Sequence, residues 1–248
     1  MATQNTMKRP WYRHWWGILL MVLVVVIGAI AVNWVFLFAR YYRSARRGEL
    51  STADVTFAGK FTTSDSLRKS LTPQESDVNV MSTDDPKLGS ALAPVTIVEF
   101  ADFGCPYSRE ESFVMRALAA ATGNRINYVY RDFPLDDLHP AARRAAEAGG
   151  CANELGKFWA YHDKLYQNQD RMTEGDLIRY ATEVGMDKDV FKACLAKNTY
   201  AKEVQDDFDA GAAAGVVGTP TFFVNGKRIE GAVPRDIWEK IISAVIGG

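Results

Sequence analysis

Hydrophobic and polar positions divide the chain into three stretches of different character. From Gly17 to Ala39 the sequence GILLMVLVVVIGAIAVNWVFLFA carries no formal charge, and its length of about 23 residues suits a helix crossing a ~30 Å hydrocarbon layer. Trp11, Trp15 and Trp16 precede it and Tyr41 and Tyr42 follow it, rings that favour the membrane interface. The pattern predicts an N-terminal segment over 1–16 and a transmembrane signal anchor over 17–39. A cleaved signal peptide is the alternative, since Ala29-Ile30-Ala31 offers a small-x-small site; cleavage there would leave WVFLF exposed near a new terminus, which favours the anchor. Basic residues flank both sides, so charge alone leaves the orientation open.

The second stretch, 40–78, is rich in Ser, Thr, Asp and Lys without a sustained period of 3.6 or 2. It reads as a polar linker with at most a short helix near Ser66 to Leu71. Regular patterning begins in the third stretch, 79–248. Val95 to Phe100 (VTIVEF) is a β-branched run of strand length, and Asp102-Phe103-Gly104 turns the chain. A helical pattern opens at Cys105, with Pro106 suited to a first-turn position and Val114, Leu118 and Ala121 on one face. Ile126 to Arg131 is a second strand, and strand, helix, strand at this spacing implies a parallel pair.

Helical patterns then follow one another from about 139 to 214. Pro140 and the helix formers Ala141 to Ala148 start the series, and Phe158, His162 and Leu165 mark a second apolar face. Thr173 with Asp176 gives a capping-box start, and Asp187 caps a helix carrying Phe191, Cys194 and Leu195. After a helix ending at Gly215, Thr221 to Val224 and Lys227 to Glu230 flank Asn225-Gly226, the pair required by a tight type I′ hairpin turn. A final helix carries Ile237, Trp238, Ile241, Ile242, Val245 and Ile246. The fold class is α/β: βαβ, an all-helical insertion, then ββα.

The chemistry concentrates at Cys105-Pro106-Tyr107-Ser108. At a helix N-terminus the first-turn N–H groups and the dipole stabilise negative charge on sulfur and so favour nucleophilic attack on a disulfide. Ser108 is one turn on, where its hydroxyl could donate to the sulfur. It cannot attack a mixed disulfide as a second cysteine would, so release requires an outside thiol.

Order and motif resemble the DsbA family of thioredoxin-fold thiol–disulfide oxidoreductases, in a C-P-Y-S variant of the C-x-x-C motif. The resemblance is carried by PVTIVEFADFGCPYS, HPAARRAAEA at His139 to Ala148, GKFWAYHDKLY at Gly156 to Tyr166, and GTPTFFVNGKRIEG at Gly218 to Gly231. It implies a cis Thr219-Pro220 bond with Pro220 against Cys105 and the Thr219 backbone available to an extended client. Pro106, Tyr107, Thr219 and Pro220 would then contact the client. Glu99, six residues before Cys105, is where the family often keeps a buried acid that moves a proton; a partly exposed glutamate at a strand edge is the other reading. The family also includes members with a second disulfide in the insertion, which here would join Cys151 and Cys194; two buried thiols are the alternative.

Function follows as an expectation: a single-pass protein of the bacterial inner membrane, 1–16 cytoplasmic and the catalytic domain periplasmic, exchanging protein disulfides through the monothiol Cys105. Isomerisation or mixed-disulfide reduction would suit it better than net oxidation. Partners would be cysteine-containing clients, a low-molecular-weight thiol or partner reductase, and the lipid bilayer. A non-catalytic module that binds or traps peptides is the alternative. Neither His139 nor His162 has metal-ligand spacing, and no metal or other cofactor is expected. A formal net charge of −1 gives no electrostatic footprint for nucleic acid.

Overall fold

The computed structural model describes residues 84–247 without a break, together with 80–82, 60–63, 55–56 and a few helical positions between 19 and 28. Leu19, Val22, Leu23, Val26 and Ile27 are exposed and belong to a unit, Met1–Ser51, distinct from Thr52–Gly248. The rest of the run from 17 to 39, and the helix expected near Ser66 to Leu71, lie outside the described residues. Among the described residues no helix is long and apolar enough to cross a membrane.

The described elements of the second unit are β1 (Val55–Thr56), β2 (Thr62–Thr63), β3 (Lys87–Gly89), β4 (Val95–Ala101), α1 (Pro106–Thr122), β5 (Ile126–Asp132), α2 (Ala142–Glu154), α3 (Phe158–Gln167), α4 (Glu174–Glu183), α5 (Lys188–Ala196), α6 (Ala201–Ala213), β6 (Gly218–Thr219), β7 (Thr221–Val224), β8 (Lys227–Glu230) and α7 (Arg235–Gly247). One six-stranded sheet has the order β1-β8-β7-β4-β5-β3, and β2 pairs separately with β6. β4 is central, parallel to β5 and antiparallel to β7. Both its faces are covered, which is why VTIVEF reads as a continuous apolar run rather than an alternation.

Period 2 along β4 sorts its side chains between two cores. Val95 and Ile97 pack with Met115 and Leu118 of α1, Tyr128, and Trp238 and Ile242 of α7. Val98 and Phe100 face the other way, among Val129, Phe133, Val216 and Phe223. Asn225 and Gly226 both have positive φ, 46° and 85°, as the β7–β8 turn demands.

The helical insertion has its own core of Tyr161, Leu165, Tyr166, Leu177, Tyr180 and Phe191. Thr173 and Asp176 cap α4 reciprocally, and Asp187 Oδ1 accepts from the N–H groups of Asp189 and Val190, each at 2.9 Å. Cys151 on α2 and Cys194 on α5 are joined by a disulfide across a sequence separation of 43, with Cα atoms 6.0 Å apart. Closing a loop of that length removes chain entropy from the unfolded state worth about 4 kcal/mol.

Three strands carry no sequence signal. β3 offers one apolar residue, and β1 and β2 lie inside the stretch that reads as linker. β1 runs parallel to β8, with Val55 opposite Ile229 and Thr56 opposite Glu230. β2 runs antiparallel to β6, with Thr62 opposite Thr219 and Thr63 opposite Gly218. Their pairing comes from edges supplied by β8 and β6, far along the chain, so local composition cannot reveal it.

Candidate active site around Cys105

Cys105 is the N-cap of α1, with φ −77° and ψ 124° where extended backbone enters the helix, and Pro106 fills the first helical position. That position suits proline because its missing N–H would have no partner within the helix. The Ser108 backbone N–H donates to Cys105 Sγ at 3.4 Å, and Sγ lies 3.5 Å from the carbonyl oxygen of Thr219, to which the thiol donates. Cys105, Ser108 and Thr219 are fully buried; Pro106 is exposed and Tyr107 half-buried. The sequence reading assigns the sulfur contact to the Ser108 hydroxyl. In the structure the Ser108 backbone amide also donates to the sulfur, and Ser108 Oγ accepts from the Asp102 N–H at 3.4 Å.

The turn before Cys105 is held by residues to which sequence reasoning gave no role in the site. Asp102 Oδ1 accepts from Gly104 N–H at 2.6 Å. Its Oδ2 accepts from Leu135 N–H at 2.9 Å and sits 2.8 Å from His139 Nδ1. Gly104 is required by close approach: a Cβ there would stand 2.4 Å from that of His139. The hydrogen bond to Asp102 raises the His139 pKa above its ordinary 6.5. Gln169, between α3 and α4, donates through Nε2 to the carbonyl oxygens of Phe103 at 2.8 Å and Cys105 at 2.9 Å. The Asp-x-Gly spacing at 102–104 is a turn signature, but it names neither His139 nor Gln169.

Glu99 shares its face of β4 with Val95 and Ile97, and the side chain is buried. Its Oε2 accepts from Tyr128 Oη at 2.5 Å, and Oε1 has no hydrogen-bond partner among the described residues. Burial pushes its carboxyl well above the usual range, which favours the protonated acid. Glu111, on α1, is a second buried acid. Its Oε2 accepts from Val233 N–H at 2.8 Å, and its Oε1 accepts from the Trp238 indole. Burial raises it from 4.5 to about 8.

A raised acid contributes stability that is fully present below its unfolded value and is lost as pH rises through its folded value, because the unfolded chain ionises first. For Glu111 that window runs from 4.5 to about 8, with a slope of about 1.4 kcal/mol per pH unit. Asp85 and Glu203, each raised by burial to about 7, add slopes of the same sign. Urea unfolding at pH 5, 6, 7 and 8 should therefore show falling stability, and Glu111→Gln should flatten the slope by roughly one proton's worth. Equal slopes in the two proteins would contradict this account of Glu111.

The strand edge beside the thiol is β6. Thr219-Pro220 is a cis peptide bond, the Pro220 carbonyl accepts from Gly231 N–H at 2.9 Å, and Thr221 Oγ1 donates to the Gly218 carbonyl at 2.8 Å. On this side the sulfur meets the backbone carbonyl of Thr219. A thiol at a helix N-terminus, facing a strand edge able to pair with an extended segment, is suited to attack a disulfide presented by a peptide.

A family described as Thioredoxin matches residues 81–244. BdbD from Bacillus subtilis, in its oxidised crystal structure, is similar with a TM-score of 0.59 and 27% identity, covering 66% of this chain and 94% of that one. A thioredoxin-like oxidoreductase from Silicibacter pomeroyi is similar with a TM-score of 0.60 and 25% identity, over 71% of this chain and 99% of that one. The thiol-disulfide exchange protein alpha-DsbA2 from Wolbachia pipientis shares the fold, with a TM-score of 0.60 and 19% identity over 67% of this chain and 89% of that one. Among curated proteins, the Na(+)/H(+) antiporter NhaA 3 of Salinispora tropica is 38% identical over 215 residues, covering 85% of this chain and 30% of that protein. The chain thus spans about a third of the length of such relatives.

Proposed function

The chain belongs to the thioredoxin family, with DsbA-type thiol–disulfide oxidoreductases as its structural neighbours, and from that membership and the surroundings of Cys105 we propose that it is a monothiol exchange enzyme acting on protein disulfides. The observation that carries the reading is the placement of Cys105 Sγ, within reach of both the Ser108 N–H and the Thr219 carbonyl.

Cys105 thiolate attacks one sulfur of a client disulfide. The Cys105–client disulfide forms, the client's original S–S bond breaks, and its second sulfur leaves as a thiolate. The Ser108 N–H, already aimed at the sulfur, is placed to hydrogen-bond it as it attacks. Glu99, carrying its proton, supplies it to the leaving thiolate and regains it when the next thiol reacts; burial and the partnerless Oε1 support this role. Thr219 backbone, Pro220, Pro106 and Tyr107 receive the client, whose extended chain adds to the β6 edge.

A serine at 108 leaves the mixed disulfide waiting for an outside thiol. A client thiol gives isomerisation, and a small thiol or partner reductase gives net reduction of the mixed disulfide. The site therefore suits isomerisation or mixed-disulfide reduction better than donation of a new disulfide. Membrane anchoring through 17–39, with the catalytic domain on the periplasmic side of the inner membrane, is supported by the apolar run and by relatives named as antiporters. The Asp102, His139 and Gln169 bonds act as positioning contacts for the turn.

Two substrates in parallel test this function. Incubated with glutathione, the full chain should deglutathionylate a glutathionylated peptide over many turnovers, and treated with glutathione disulfide it should carry a stable Cys105–glutathione adduct. A Cys105–Cys151 or Cys105–Cys194 bridge in peptide maps of the treated protein would show that a second sulfur resolves Cys105 and would overturn the monothiol reading.

A further inference from the structure

We propose that residues 60–63 are a resident occupant of the client groove, paired along the backbone edge that an extended client must use, and that Cys105 reacts with large substrates only after this segment is displaced. The proposal rests on the reading of Thr219 as the client-pairing residue.

The pairing is antiparallel and in register with the critical positions, Thr62 opposite Thr219 and Thr63 opposite Gly218. Two contacts fix the segment just upstream. The Lys60 carbonyl accepts from Ala232 N–H at 2.9 Å, and Lys60 Nζ pairs with Glu110 on α1. Phe61 between them is half-buried. Farther back, Val55 and Thr56 hold the same stretch of chain on β8. β6 is only two residues long, so its edge accommodates one strand at a time, and a client and residues 60–63 exclude each other.

Being covalently attached, the segment competes at an effective concentration far above that of most free peptides. Clients then bind with an apparent affinity reduced by the fraction of time the groove is open. The hold is nonetheless weak. β2 contributes two residues, the Lys60–Glu110 pair is half exposed on both sides, and Thr219 Oγ1 is buried without a hydrogen-bond partner among the described residues while the segment is in place. A client that offers this hydroxyl a partner gains an interaction beyond the shared backbone pairing. Lys60 also indicates which clients compete best: extended segments with a basic residue two positions before the one that pairs with Thr219, placing the cation against Glu110.

The test uses the full chain and three readouts. In the double variant Thr62→Pro, Thr63→Pro, the missing N–H groups disfavour the pairing. Iodoacetamide should then alkylate Cys105 about tenfold faster, and KM for a glutathionylated peptide should fall by a similar factor with kcat little changed, as for a groove otherwise occupied nine-tenths of the time. Lys60→Glu, which touches only the exposed ion pair, should give about a twofold change in the same direction. A synthetic peptide of residues 58–66 added to the double-proline variant should restore slow alkylation. Unchanged alkylation and unchanged KM in both variants, with normal turnover, would overturn the proposal and leave the exchange activity standing. Faster alkylation reversed by the added peptide, in a protein without turnover, would support the occupancy and remove the enzymatic reading instead.

Discussion

Cys105→Ala should abolish deglutathionylation, lowering kcat/KM by about a thousandfold or more, the scale on which removal of a covalent nucleophile is felt. No other sulfur can stand in. Cys151 and Cys194 are bonded to each other, and a hydroxyl such as Ser108 does not form sulfur–oxygen intermediates reversibly under these conditions. The substitution removes an N-cap acceptor for the Ser108 N–H, so a stability loss of about 1 kcal/mol is expected, too small to unfold the domain. Turnover measured beside a urea melt separates the two effects. Turnover no faster than buffer in both proteins, with peptide binding retained, would mean that the domain captures peptides without chemistry.

Ser108→Cys should change the outcome of the reaction rather than its first step. Ser108 is fully buried one turn into α1, and its amide already points at Cys105 Sγ. A thiol there meets the mixed disulfide intramolecularly, with an effective molarity far above millimolar glutathione. The lifetime of the client adduct should fall by about a hundredfold or more. The new sulfur attacks Cys105, an internal disulfide forms, and the client leaves as a thiol. Pre-oxidised with glutathione disulfide, this variant should oxidise a dithiol peptide through its internal disulfide, a bond the parent cannot form. Mass spectrometry of acid-quenched samples distinguishes the adduct from the internal disulfide. Persistence of the adduct at the parent's lifetime would show that position 108 cannot reach the sulfur.

The elements that reveal themselves in the sequence are those with local causes. VTIVEF, the Asn225-Gly226 turn, the Thr173–Asp176 capping box and the Asp187 cap are each written within a few residues, and the structure has them where those residues stand. Cys105 itself follows from a strand-to-helix junction and Pro106. The surroundings of the thiol are another matter. Asp102 meets His139 at a separation of 37 residues, Gln169 reaches the turn from beyond α3, and Glu111 is buried by Trp238 and Val233. Such contacts exist only once distant segments are packed together. β1 and β2 were obscured for the same reason, since a polar stretch becomes strand when an edge is provided for it.

Gln169 carries a consequence for how this domain is divided. The helical insertion looks like an accessory to a smaller thioredoxin core, something that could be trimmed or exchanged between proteins. Yet the carboxamide that fixes the Phe103 and Cys105 carbonyls comes from within it, and so does His139 at its threshold, which engages the Asp102 side chain. Insertion and redox turn therefore form one transplantable module. A chimera that exchanges the helices without Gln169, or the motif without its helices, inherits a cysteine whose backbone has lost its mooring.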